Sequence, residues 1–530
     1  MPSVTLTAAD LGVPLRFNAT EYFVDRHLRE GRADRVAIVC GDDEVTYRQL
    51  AERVNRCGHA LRERLELGPG ERLLLLALDG PEFIYTFFGA IKIGAIPIPA
   101  NTLWKPAEYA FLLNDSCARV LVVSAALLPQ ILAIPRTELP HLRHIVVIGD
   151  APGGTAAFAE LLADGLPELT AEDTSRDDVA FWLYSSGSTG SPKGCVHLQH
   201  DMVVSTELYG KGILGITEDD RSFSAAKLFF AYGLGNAMYV PLGTGGTAIL
   251  WPGAPTAQNI YDAIERHRPT LFYSVPTGYG MMLAREPEAG RRDYDLTSVR
   301  QAISAGEALP PALFERFRKR FGVEILDGIG STEVLHIFIS NRSGEVRPGS
   351  SGRIVPGYEA RLVDEQHAPV PVGVIGNLLI SGDSTCDCYW NRPEKTAETF
   401  SGQWIRTGDK YQQDADGFFW YAGRSDDMLK VGGIWVSPVE VENAILAHAS
   451  VQECAVVGRE DHDGLVKPMA YVVLRAGVVS DHTLARDLQL FATGSLADYK
   501  RPRWVEFLPE LPKTATGKIQ RFKLRQRESQ

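Results

Sequence analysis

Tyr184-Ser185-Ser186-Gly187-Ser188-Thr189-Gly190-Ser191-Pro192-Lys193-Gly194 follows directly on the apolar run 179–183. Gly187, Gly190 and Gly194 let the backbone turn tightly and bring N–H groups against an anion, the serine and threonine hydroxyls add donors, and Lys193 adds a positive charge. An apolar strand opening into such a loop reads as a phosphate cradle. It is not a Walker loop, because Lys193 is followed by glycine rather than by Ser or Thr and the required glycine spacing does not occur.

Outward from the cradle, short apolar runs at 73–78, 120–123, 144–148 and 271–275 are bounded by Gly, Pro, Asp or Ser, as buried parallel strands are. Between them lie helical stretches such as 46–65, with apolar residues at Leu50, Val54, Ala60 and Leu61. The alternation predicts an α/β fold with a mostly parallel sheet. From Gly352 onward, with Gly357, Gly373, Gly376 and Gly382, the texture changes to short strands and turns, a β-rich subdomain. Gly423-Arg424-Ser425-Asp426 is a polar, glycine-flanked crossing of the kind that joins domains. Beyond it the chain is nearly charge-balanced, with helices at 439–448 and 481–493 and strands at 454–458 and 469–474 before a basic tail. We expect a large N-terminal domain, 1–425, of α/β subdomains plus the β-rich subdomain, and a small mobile α+β C-terminal domain, 426–530.

Composition narrows the function classes. At 530 residues, 45% hydrophobic and 23% charged, the chain is an ordinary globular one. A formal charge of −12 supplies no field for a polyanion and disfavours a nucleic-acid partner. No apolar run approaches the roughly 18 residues that span a bilayer, and residues 1–15 lack a secretory pattern, so no membrane partner and a cytoplasmic address are expected. Seven scattered cysteines do not form a disulfide framework. Cys386 and Cys388 have only Asp387 between them and no second Cys/His pair nearby, so no zinc site is read there. Gly210-Lys211-Gly212-Ile213-Leu214-Gly215 matches a dinucleotide fingerprint but follows a polar helical stretch rather than a strand, which removes that reading.

The cradle occurs together with Gly328-Ile329-Gly330-Ser331-Thr332-Glu333, Arg406-Thr407-Gly408-Asp409, Gly423-Arg424-Ser425-Asp426 and Pro512-Lys513-Thr514-Ala515-Thr516-Gly517-Lys518. This set resembles, in order and spacing, the adenylate-forming superfamily of acyl-CoA synthetases, peptide-synthetase adenylation domains and luciferases. The stretches 227–236 and 331–338 are similar to its benzoate-CoA ligase branch. The resemblance implies a ligase that joins an aromatic carboxylic acid to AMP at the expense of ATP and then passes the aryl group to coenzyme A. It implies benzoate or a simple benzoate such as 2-aminobenzoate or a hydroxybenzoate as substrate, and leaves room for a homodimer.

Roles follow from the resemblance residue by residue. Lys518 would neutralise charge at the carboxylate and α-phosphate, Thr332 would contact the α-phosphate, and Glu333 would hold Mg²⁺, a hard cation that prefers oxygen ligands. Ser185, Ser186, Gly187, Ser188, Thr189, Gly190 and Lys193 would cradle the phosphates. Gly306, Glu307 and Ala308 with Asp327, Gly328 and Ile329 would flank adenine, Asp409 would accept both ribose hydroxyls, and Arg424 would stand near ribose and phosphate. Ala231, Tyr232, Gly233, Gly330, His336 and Ile337 would line the aryl pocket, with Ala231 and Gly233 leaving a flat slot and Tyr232 gating the thiol passage. Gly432, Gly433 and Trp435 would line the pantetheine tunnel once the small domain turns about Asp426. The sequence departs from the branch at Val431-Gly432-Gly433, where a serine before a single glycine is common, and at Cys195. The alternatives are a stand-alone adenylating enzyme that loads a separate carrier protein and a non-catalytic protein that binds aromatic acids. The presence of Lys193, Glu333, Asp409 and Lys518 together weighs against the last.

Overall fold

The computed structural model describes residues 5–185, 192–287, 293–424, 427–431, 434–462, 465–494, 496–513 and 519–527. Ser186, Gly187, Ser188, Thr189 and Gly190 of the cradle, Asp426, Gly432, Gly433 and Lys518 lie outside the described residues, and Trp435 is described by its backbone alone.

Two sheets, one parallel and one with a parallel core, carry the large domain. One runs Ile96–Pro99, Arg72–Leu76, Val120–Ser124, His144–Ile148 and Ala156–Ala157, parallel throughout. The other has nine strands, with Gln301–Ser304, Leu271–Ser274, Arg221–Ser224, Thr247–Leu250 and Val36–Cys40 as neighbours in a parallel core. Strands such as Val120–Ser124, all buried, read as nearly continuous apolar runs, as strands of a parallel sheet covered on both faces do. The helix Tyr47–Glu63 starts where Thr46 and Gln49 close a capping box, and it buries Leu50, Val54, Ala60 and Leu61. The expected 46–65 helix is thus met within two residues at either end.

The β-rich part is the antiparallel set Glu359–Val363, Gly376–Ser381, Trp404–Gln413 and Phe400–Ser401, with Phe419–Arg424 paired on Trp404–Gln413. After the crossing, Val451–Glu460 and Val466–Leu474 pair antiparallel, Trp504–Phe507 joins in parallel, and the helices Pro438–Leu446 and His482–Thr493 lie at the positions read from sequence. This unit has its own core around Val441, Ile445, Val456, Val472 and Leu488. The C-terminal helix Arg521–Arg527 is tied to it by Arg521, whose Nη2 donates to both carboxylate oxygens of Glu442 at 2.8 and 2.9 Å. Arg525 Nη1 donates to Asp427 Oδ1 at 2.7 Å, immediately after the crossing. Among the described residues no helix is long and apolar enough to cross a membrane.

Candidate active site

The strands Leu271–Ser274, Gln301–Ser304 and Ile325–Gly330 run parallel, and two of the segments expected to flank adenine, 306–308 and 327–329, lie just after the second and on the third, toward the carboxyl ends where open α/β sheets bind ligands. Gly306, Glu307 and Ala308 follow the second strand, and Thr277 Oγ1 donates to Glu307 Oε2 at 3.0 Å. Asp327, Gly328 and Ile329 lie on the third. That strand then turns back antiparallel on Ile337–Ser340 through Ser331-Thr332-Glu333. Gly330 is required in this return, since a Cβ there would stand 2.5 Å from the His336 carbonyl oxygen.

The turn is held from beneath by chain far away in sequence. His197, fully buried, presents Nε2 to the Thr332 carbonyl at 2.9 Å and Nδ1 to Asp201 Oδ2 at 2.8 Å. The Cys386 N–H donates to the Glu333 carbonyl at 2.8 Å, and Ser384 Oγ donates to the Val334 carbonyl at 2.8 Å. Glu333 and Lys193 meet the same ring: the Tyr389 hydroxyl donates to Glu333 Oε1 at 2.7 Å, and Lys193 Nζ lies 4.4 Å from the Tyr389 ring centroid. Ser185 pairs with Lys193 across the hairpin that carries the cradle. Burial and the neighbouring Glu333 charge push the Tyr389 phenol far up, so it remains a donor.

Glu333 fits the role of a magnesium ligand. Its carboxylate is half-buried with one oxygen engaged by Tyr389, and among the described residues no three His, Cys, Asp or Glu side chains converge on a metal position. One carboxylate plus phosphate and water oxygens is the donor set Mg²⁺ takes in nucleotide sites.

Asp327 is buried, the Leu309 N–H donates to its Oδ2 at 3.5 Å, and burial, outweighing the nearby donors, pushes its carboxyl up to about 8. Asp409 and Arg424 face each other in register on adjacent strands.

Of the residues expected to line an aryl pocket, His336 is buried, 3% exposed. Its Nε2 stands 3.1 Å from Asn236 Oδ1, so the partner oxygen assigns the ring proton to Nε2, and among the described residues the acceptor Nδ1 has no hydrogen-bond partner. Burial lowers the imidazole to about 3, so the ring is neutral. The rings of Tyr209, Tyr232 and Tyr239 surround it at centroid distances of 5.2, 6.0 and 6.1 Å. Ile337 is buried beside it and Ala231 is half-buried.

Two expectations are modified. Tyr232 is pinned, its hydroxyl donating to the carbonyls of Ile303 at 3.1 Å and Ser274 at 3.3 Å, which places it at the strand ends rather than free to swing. Gly233 is small because the Lys227 carbonyl passes 2.1 Å from where its Cβ would be, so close backbone approach demands the glycine there.

Sequence reading passed over Tyr389, Asn236 and the His197–Asp201 pair. Asn236 closes the 227–236 stretch quoted above and was legible as a polar residue in an otherwise apolar segment; Tyr389 and His197 carry no local signal.

The fold and this arrangement define an adenylate-forming enzyme. The chain belongs to the AMP-binding enzyme family, whose model matches residues 24–390, while the AMP-binding enzyme C-terminal domain model matches residues 440–518. It is 51% identical to the benzoate-CoA ligase of Thauera aromatica, over 98% of this chain and 99% of that one. The crystal structure of the anthranilate-CoA ligase AuaEII with anthranoyl-AMP superposes with a TM-score of 0.94 at 47% identity, covering 99% of each chain. A benzoate-CoA ligase from Burkholderia xenovorans LB400 superposes with a TM-score of 0.87 at 47% identity, over 96% of this chain and all of that one (100%).

Proposed function

We infer that the protein is an AMP-forming aryl-acid:CoA ligase. It condenses benzoate or a simple ring-substituted benzoate with ATP to aryl-AMP and pyrophosphate, and then transfers the aryl group to the thiol of coenzyme A with release of AMP. The observation that carries the aryl reading is His336, buried, neutral and ringed by three tyrosines behind the turn that bears Thr332 and Glu333. Such flat, rigid surroundings suit an aromatic ring better than a long acyl chain. The acceptor Nδ1 suits an amino or hydroxyl hydrogen on the ring, which favours 2-aminobenzoate and hydroxybenzoates beside benzoate itself.

The first step must bring two anions together. Lys193 and Lys518 supply the opposing charge at the phosphates and the carboxylate, and Thr332 contacts the α-phosphate. Mg²⁺, held by Glu333, supplies further neutralisation of the phosphate charge when bound. Asp409 takes the ribose hydroxyls with Arg424 beside it, and the segments 306–308 and 327–329 flank the adenine. In the second step the unit 426–530 turns about Asp426 against the unit 1–425 and brings Gly432, Gly433 and Trp435 to the thiol passage.

The test is acid-dependent pyrophosphate release and CoA thioester formation by the purified protein over benzoate, 2-aminobenzoate, 4-hydroxybenzoate, acetate and octanoate. Thioester formation with free CoA and a benzoate-class preference is expected. Preference for acetate or octanoate removes the aryl reading, and adenylation without CoA-dependent AMP release favours a carrier-loading enzyme.

A further inference from the structure

Tyr389 is placed by a two-residue strand, Cys388–Tyr389, that pairs antiparallel with the cradle strand Lys193–Leu198 and brings Tyr389 opposite Cys195. The residue is 3% exposed and fixed on several sides. Its N–H donates to Thr396 Oγ1 at 3.1 Å, Phe400 packs edge-on at 5.5 Å, the Lys193 ammonium sits 4.4 Å from its ring centroid, and its hydroxyl donates to Glu333 Oε1 at 2.7 Å. The ring therefore takes a cation on its face and a carboxylate on its hydroxyl edge.

We propose that Tyr389 is a positioning residue for the adenylation step, a spacer that keeps Lys193 and Glu333 apart and aimed at the phosphates and the metal instead of at each other. This rests on the roles assigned above to those two residues. An ammonium and a carboxylate this close to one aromatic ring would otherwise close into an ion pair, and each would then have to be freed before ATP and its metal could bind. The π-face holds Lys193 by its quadrupole without a directional bond, so phosphate oxygens displace it readily. The phenol engages one oxygen of Glu333 and fixes the carboxylate plane, leaving Oε2 for a metal; partners of this kind behind metal ligands typically govern affinity by about 10- to 100-fold.

Tyr389→Phe keeps the ring beneath Lys193 and removes only the donor. The Mg²⁺ concentration at half-maximal ATP/pyrophosphate exchange is expected to rise about tenfold or more. Mn²⁺ bound in the presence of a non-hydrolysable ATP analogue, read by electron paramagnetic resonance, should weaken by a similar factor. Transfer from supplied aryl-adenylate to CoA should be unchanged. Tyr389→Leu, which removes the spacer, should in addition raise KM for ATP. A Tyr389→Phe enzyme with wild-type Mg²⁺ and Mn²⁺ titrations overturns the proposal, as does an equal loss of both half-reactions with a lowered Tm, which marks a merely structural ring. Glu333→Gln is measured in parallel: if it too leaves the metal titrations unmoved, the role of Glu333 fails, whereas if it alone shifts them, only that of Tyr389 does.

Discussion

Arg424 Nη1 stands 3.2 Å from Asp409 Oδ1 and also donates to the Thr407 carbonyl at 3.2 Å, so the guanidinium bridges the two arms of one strand pair. Asp409 is mostly covered, with 13% of its side chain exposed against 44% for Arg424. Asp409→Asn keeps the shape and removes the charge from the carboxylate assigned to the ribose. Hydrogen bonds to a charged acceptor contribute about 1.5–3 kcal/mol, so KM for ATP should rise about 10- to 150-fold, with KM for the aryl acid within about twofold of wild type. Pyrophosphate-exchange kinetics at varied ATP check this, and an unchanged ATP KM takes Asp409 out of the nucleotide site.

Lys518→Ala and Asp426→Pro should split the two half-reactions in opposite senses. Loss of the lysine charge is expected to lower adenylation by about a hundredfold or more while much of the transfer from supplied aryl-adenylate to CoA survives. Proline at 426, with φ held near about −65°, should spare adenylation and stop thioester formation by blocking rotation. Equal loss in both steps for Lys518→Ala, or full turnover by Asp426→Pro, refutes the corresponding role.

Asp327 makes stability depend on pH with a definite sign. Its folded carboxyl is raised to about 8 by burial, against about 3.9 in an unfolded chain. Between those values the folded state binds more protons than the unfolded one, so this group's contribution is full below about 3.9 and is lost as pH rises through about 8. Asp327→Asn resembles the protonated form, and its stability, followed by Tm, should gain on wild type progressively from pH 5 to 8, reaching on the order of a few kcal/mol. Parallel Tm profiles would place the ionised carboxylate in the fold.

Ala231→Leu adds bulk to the half-buried wall beside Tyr232. Overpacking typically costs about 1–3 kcal/mol, or about ten- to two-hundredfold in kcat/KM for benzoate, while KM for ATP is little changed. Untouched benzoate kinetics would move the aryl pocket elsewhere.

Local chemistry was enough to read the alternating strands and helices, because a buried parallel strand such as His144–Ile148 and an amphipathic helix such as Tyr47–Glu63 declare their faces over a few residues. The order of the glycine, Ser-Thr-Glu and Thr-Gly-Asp motifs likewise carried the family, since phosphate-binding turns need particular residues at fixed short spacing. What the chain does not write locally is which distant groups meet. Tyr389 and Glu333 are 56 residues apart, His336 and Asn236 100, and His197 and Thr332 135, and each pair is joined by strand order and by the turn after Ile325–Gly330. The neutral states of His336 and Asp327 are likewise products of assembly, because desolvation arises only when the whole core closes over a side chain.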